Sequence, residues 1–267
     1  MIRFVAWGAL ALAAVLLTPA AALAQTPVAA AIDDLVVANR ILADRGIIDA
    51  YGHVSVRHPT DPDRYLMAHA LSPALITPAD IMEFDLDSKP ITPSERRLFS
   101  ERFIHGEIYK ARPDVNAVVH SHSAGVIPFG ITRVPLRPVF HNASFLWVGV
   151  PVFEIRDAAG ATNMLVSDAA RGKALAAALG DKPVVLMRGH GDAVVGRSVQ
   201  QAVSRAVYTD ENARLQAAAL ALGGPVTYLS AEEGELRDKQ PRDSTGSESN
   251  RAWQLWKAMA LRKAASP

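Results

Sequence analysis

The chain has 267 residues, is 49% hydrophobic and 21% charged, and carries a formal net charge of +1. That balance describes an ordinary globular protein and excludes both a disordered chain and one that uses a strongly basic surface for a nucleic-acid partner. With no cysteine in the sequence there is neither a disulfide framework nor thiolate chemistry, and an oxidising compartment poses no problem.

In chain order, "MIRFVAWGALALAAVLLTPAAALAQ" combines an early Arg3, an apolar stretch from Phe4 to Leu17, and the small-residue step Ala22-Leu23-Ala24 before Gln25. It predicts a secretory signal peptide over residues 1–24, cut after Ala24, because Pro19 and the cleavage pattern argue against an uncleaved anchor. The mature protein is then expected to be periplasmic or secreted, with no membrane attachment. Residues 25–267 suit one domain that ends in a polar linker and a last helix.

"AAIDDLVVANRILADRGII" sets apolar Ile32, Leu35, Val36, Ile41 and Leu42 between charges and predicts a helix. "GHVSVRHP" and "RYLMAHAL" alternate as strands do. In "TPADI", Thr77 is placed as a helix cap, Pro78 at the first helical position and Asp80 at the capping-box position, so a short turn of helix leads into "MEFDLD". Ser100 is placed to cap "ERFIHGEIYKAR", whose Phe103, Ile104 and Ile108 form an apolar stripe that ends before Pro113. "VNAVVHSH" and "GVPVFEI" read as strands, "SDAARGKALAAALG" as a helix closed by Gly180, and "KPVVLMRGHG" as a buried strand running into a Gly-flanked turn. "SVQQAVSRAVYTDENARLQAAALALGG" is a long helix. "EEGELRDKQPRDSTGSESN" reads as an exposed connection, and "RAWQLWKAMALRKA" as a final helix with Trp253, Trp256 and Ala260 along one side. The pattern is α/β, with one sheet covered by helices.

Two of only eight histidines, His120 and His122, stand two apart at the end of an apolar run. On a strand they project from the same face and make a ligand pair if a third ligand exists. His190, between Gly189 and Gly191 at the end of another strand, supplies that third imidazole. Three neutral imidazoles with one position open form the ligand set of a catalytic zinc or related divalent ion, although hydrogen-bonded histidines of the core or surface fit the same spacing. Glu101, at the start of the helix before the His-x-His strand, is the candidate acid/base; on the residues alone it is equally a carboxylate at a helix's positive end.

"SERFIHGEIYKARPDVNAVVHSHS" followed by "RGHG" resembles the class II aldolase and adducin family, in which a glutamate opens a helix, a His-x-His pair follows nineteen residues later, and a distant histidine completes a metal site. "GHVSVRHP" resembles the family's Gly-Asn-x-Ser strand, so the likeness runs from about residue 30 to about residue 230. The resemblance implies a three-layer α/β/α sandwich around a mostly antiparallel central sheet, a homotetramer, and one divalent metal per subunit, Zn2+ or Mn2+, held by His120, His122 and His190. Glu101 would be the acid/base.

Within the family, aldolases cradle a substrate phosphate with Gly-Asn, a Thr-Pro-x-Gly turn and a Ser-Ser pair. Here the matching places hold Gly52-His53, "AHAL" from Ala68 to Leu71, and Phe99-Ser100, which offer few hydroxyls and free N–H groups for a phosphate. The chain instead resembles the decarboxylase branch, which acts on hydroxylated pyridine dicarboxylates or hydroxy-carboxy-muconic semialdehyde. The implied partner is a small carboxylate whose C–C bond to CO2 breaks while the cation stabilises the developing oxyanion. Glu101 would handle the replacing proton, a role that favours a raised pKa. Arg57 and Arg188 are candidates to grip the substrate carboxylate, or else partners in surface salt bridges; His53 and His69 would line the pocket, and His141 is a candidate for a substrate contact or a hydrogen bond behind one, and equally for a core histidine. The alternatives are an aldolase for an unphosphorylated hydroxy-carbonyl compound and a non-catalytic metal-binding scaffold, the latter disfavoured because structural zinc sites close all four positions with protein ligands.

Overall fold

A computed structural model describes residues 25–239 and 251–264. The expected signal peptide therefore lies outside the described residues. The first helix, α1 (Pro27–Asp44), begins where the Thr26 hydroxyl accepts from the Ala29 N–H, with proline at its first position. Three strands follow, β1 (His53–Arg57), β2 (Arg64–Ala68) and β3 (Ile81–Asp85), with the expected capping box of Thr77 and Asp80 closing the turn ahead of β3. Then come α2 (Phe103–Ala111), β4 (Ala117–Ser121), α3 (Ile127–Ile131), the two-residue β5 (Val152–Phe153), α4 (Ile155–Ala159) and α5 (Ala169–Leu179). A hairpin of β6 (Val184–Met187) and β7 (Gly191–Gly196) leads into α6 (Val199–Ala221), α7 (Ala231–Lys239) and α8 (Arg251–Ala264).

The seven strands form one sheet in the order β3-β2-β1-β4-β7-β6-β5. Every pairing is antiparallel except that of β5 with β6. Both faces are covered, and strand alternation sorts the core into two layers. Val54 and Val56, Ala117 and Val119, and Val184 and Leu186 pack with α1, α6 and α8. Val118, Val185 and Met187, and Ala193 and Val195, pack with α2 and α5 on the other face. This is the expected three-layer sandwich. Trp253, Trp256 and Ala260 of α8 are buried as the apolar stripe predicts, and the Arg45 guanidinium lies 4.8 Å over the Trp256 ring. No helix among the described residues is long and apolar enough to cross a membrane.

Two local expectations are corrected. Ser100 does not cap α2: residues Ser100–Arg102 form a 3-10 turn, Glu101 sits in a kink at φ −93° and ψ 18°, and the α-helix proper starts at Phe103. The polar stretch after Ser230 is not all connection, because α7 occupies its first part and residues 240–250 lie outside the described ones. The Ser230 hydroxyl accepts from the Glu233 N–H at 3.1 Å while Glu233 accepts from the Ser230 N–H at 2.8 Å, a capping box legible in "SAEE". After the Gly-flanked turn, "GDAVVG" forms β7, an interior strand of the sheet between β4 and β6.

Candidate metal centre

The α2 face of the sheet carries the chemistry. On β1 the alternation that buries Val54 and Val56 on one side turns His53, Ser55 and Arg57 to the other. His53 pairs with His120 of β4, and His120 in turn with Ala193 of β7. The β6–β7 hairpin closes through Gly189 at φ +63°, with the His190 N–H donating to the Met187 carbonyl at 3.0 Å. A Cβ at Gly191 would collide with the Ser121 carbonyl, so only glycine lets β7 press close enough to β4 to set His190 beside His122.

The result is a convergent cluster of Glu101, His120, His122 and His190, with one ligand atom of each within 4.8 Å of all the others. His122 Nε2 lies 3.1 Å from His190 Nε2, and Glu101 Oε2 lies 3.5 Å from His120 Nε2 and 3.4 Å from His190 Nε2. The far nitrogens are all held. His120 Nδ1 lies 2.9 Å from the Asp192 carbonyl, His190 Nδ1 3.1 Å from the Met164 carbonyl, and His122 Nδ1 3.1 Å from Asp49 Oδ2. A carbonyl only accepts, so Nδ1 of His120 and of His190 carries the hydrogen and the Nε2 lone pair is left facing inward. The Nε2 of His120 is buried with no hydrogen-bond partner. An orphaned imidazole lone pair in a cluster of three imidazoles and a carboxylate, with Glu101 and His120 buried and His122 and His190 half-buried, fits a divalent cation.

Glu101 is 6% exposed, and its other oxygen, Oε1, accepts from the Val166 N–H at 2.9 Å. Burial pushes its carboxyl up, but His120 and His190, which favour the carboxylate when they are protonated, outweigh burial and hold it well below the usual carboxylate range. This corrects the expectation of a raised value: at rest Glu101 is ionised. Asp49 shows the same balance, burial raising it and the amides of Tyr51 and Gly52 with His122 lowering it further. Burial pushes the Asp192 carboxyl up to about 7, against a hydrogen bond from Ser121.

Asp49 was not anticipated, because nothing in "RGIIDAYGH" marks it as the carboxylate that orients a histidine some seventy residues later. Asp49→Ala is expected to weaken divalent-metal affinity about 10- to 100-fold, measured by chelator competition. Unchanged affinity would show that His122 needs no such support.

A second buried group, of which only His53 was anticipated, adjoins the cluster. The His53 ring lies 5.0 Å from that of His120 and 4.5 Å from that of Phe99. Its Nδ1 is 2.7 Å from His105 Nε2; His105 Nδ1 is 2.6 Å from Ser55 Oγ, which is 2.7 Å from the Tyr109 hydroxyl. Helix and strand are in step here. His105 and Tyr109, one helical turn apart, rise by about 6 Å, close to the roughly 6.6 Å between Ser55 and its same-face neighbours on β1. That pairing was legible as i, i+4 in "HGEIY" and i, i+2 in "HVSVR".

The other candidates are placed elsewhere. The Arg57 guanidinium donates to the carbonyls of Val115 at 3.0 Å, Pro62 at 2.6 Å, Tyr109 at 2.9 Å and Arg112 at 3.1 Å. Arg188 pairs with Glu154 at 2.6 Å, where Arg156 first, and Arg188 after it, hold the carboxyl down at about 2 against a smaller upward push from burial. His69 emerges at the same end of the sheet as His53, with its ring 3.1 Å from Asp80. His141 is exposed at the start of a 3-10 helix, edge-on to Phe140.

Residues 33–217 match the Class II Aldolase and Adducin N-terminal domain. The chain belongs to the class II aldolase and adducin family. Among curated members of that family it is 36% identical to decarboxylase tropJ of Talaromyces stipitatus, over 81% of this chain and 88% of that one. It is 34% identical to 3,4-dihydroxyphthalate decarboxylase of a Terrabacter species, over 73% of this chain and 84% of that one. An aldolase II superfamily protein from Pseudomonas syringae has the same fold, with a TM-score of 0.74 at 24% identity over 90% of this chain and 95% of that one.

Proposed function

We propose that this class II aldolase family protein is a divalent-metal-dependent carbon–carbon lyase that decarboxylates a hydroxylated aromatic carboxylic acid. The observation that carries the reading is the inward convergence of three Nε2 atoms, each imidazole held from behind at Nδ1, on the carboxylate of Glu101. The naming of curated relatives as decarboxylases, one of them for a dihydroxylated aromatic dicarboxylate, supports the choice of reaction.

His120, His122 and His190 would hold the metal, which when bound supplies a Lewis acid for the substrate's oxygens. The chain's own residues move the proton. Glu101, ionised at rest, accepts the proton of the substrate hydroxyl and hands it to the carbon that bears the carboxylate. The C–C bond then breaks, CO2 departs, the bonding pair returns to the ring and its oxygen, and a solvent proton restores the hydroxyl. Burial of Glu101 and His120 keeps bulk water from competing for that proton.

The test is CO2 release by the purified protein from a panel of hydroxylated aromatic acids, muconic semialdehyde acids and sugar phosphates, before and after metal removal by a chelator. The reading expects CO2 from an aromatic acid, loss on chelation and recovery with Zn2+ or Mn2+. Aldehyde formation from a hydroxy-carbonyl substrate without CO2 would make the chain an aldolase, and CO2 release untouched by metal removal would sink the metal-dependent reading.

A further inference from the structure

Beside the metal cluster lies a line of buried polar groups that the reaction as written leaves unused: His53 at 2% exposure, His105 at 0%, Ser55 at 0% and Tyr109 at 1%. Each touches the next at hydrogen-bond distance. Accounting for their hydrogens fixes the direction of the line. The Tyr109 hydroxyl has one side-chain partner, Ser55 Oγ, and the backbone N–H of Val118 faces the phenol oxygen as a further donor. Burial raises the phenol's pKa well above its usual value, so the O–H stays protonated and must donate, and Ser55 is the acceptor at hand.

Ser55 then gives its own hydrogen to its remaining partner, His105 Nδ1. Burial, above all, pushes His105 down to about 3, so this ring is neutral, and a neutral ring that accepts at Nδ1 carries its hydrogen at Nε2. That hydrogen goes to His53 Nδ1. His53, accepting at Nδ1, bears its hydrogen at Nε2, the nitrogen on the opposite side of the ring, for which no partner is found among the described residues. The reverse order would leave the buried Tyr109 O–H with no acceptor.

We propose that Tyr109, Ser55 and His105 form a one-way hydrogen-bond chain that locks His53 as the Nε2–H tautomer, making His53 a fixed donor to an anionic oxygen that the substrate keeps through the reaction. This rests on the decarboxylase reading for the identity of the substrate. The departing carboxylate loses its charge as CO2 forms, so a permanent donor aimed at it would oppose the reaction. A donor to a retained carboxylate instead contributes to binding in ground and transition states alike. His53 is thus the specificity residue, and Tyr109, Ser55 and His105 are its positioning residues.

The experiment reads the tautomer first, on the resting protein, from two-bond 1H–15N spectra of histidine-labelled chain, with the His53 signals assigned by their loss in His53→Gln. The expected result is Nε2–H for His53 in the wild type and a mixture of tautomers in Tyr109→Phe. In turnover, His53→Phe is expected to raise KM about 10- to 100-fold with kcat nearly unchanged, and Tyr109→Phe to raise it by less. His53→Gln carries an amide N–H near the Nε2 position whatever its neighbours do; it should hold KM near wild type and erase the effect of Tyr109→Phe. An Nδ1–H tautomer in the wild type, or a Tyr109→Phe effect undiminished in the His53→Gln background, overturns the chain. If no aromatic acid yields CO2, the decarboxylase reading fails, while the spectra still decide the tautomer.

Discussion

Glu101→Gln is expected to lower kcat for CO2 release by about 100- to 10,000-fold while the protein retains its divalent metal. Glutamine keeps an acceptor for the Val166 N–H, which Glu101 Oε1 engages at 2.9 Å, so the local backbone is preserved. What it loses is the ability to take and return a proton at the oxygen that faces His120 and His190. The two readouts separate the roles open to a carboxylate in this cluster. Loss of turnover with full metal content makes Glu101 the acid/base. Loss of metal along with turnover would make it a fourth ligand and move the proton transfer to another group, and turnover within a few-fold of wild type would remove it from the chemistry.

The sequence made the imidazole cluster visible because its spacing has a physical meaning. His120 and His122 obey the strand period, and glycines around His190 announce a turn that presents a side chain. Fold class was legible for a related reason. The alternation in β1 and β2 and the apolar stripes of α1, α2 and α8 each state one local geometry, and one sheet between helices satisfies them together.

The misses have a common form. Asp49, His105 and Ser55 matter through contacts across the fold, His105 to a strand fifty residues earlier and Asp49 to a histidine seventy-three residues later; the local periods place His105 on one helix face and Ser55 on one strand face, and neither says that the two faces meet. Glu101 shows the same limit in its ionisation. A helix start near the cluster suggests a carboxyl, but the sign of its pKa shift depends on two imidazoles brought to 3.5 Å and 3.4 Å by other elements.

Arg57 carries the second large expectation, because sequence and structure assign it opposite work. As the residue after "GHVSV" it reads as a cation ready for a substrate carboxylate. In the fold it is the last same-face residue of β1, four residues from His53 and so about 13 Å along the strand, with its guanidinium donating to four carbonyls and stacked 4.7 Å over the Tyr109 ring. Those carbonyls belong to the end of α2, the turn into β4 and the β1–β2 loop, so a single cation ties three segments together. Arg57→Met would keep most of the side chain's apolar volume and leave the four acceptors without their donor. Folding stability is expected to fall by about 3 to 5 kcal/mol, read as a lower urea midpoint at unchanged m-value. KM for the carboxylate substrate, measured on the folded protein, should stay near wild type. A raised KM at undiminished stability would return Arg57 to the substrate and leave the junction of α2, β1 and β4 to be held by something else.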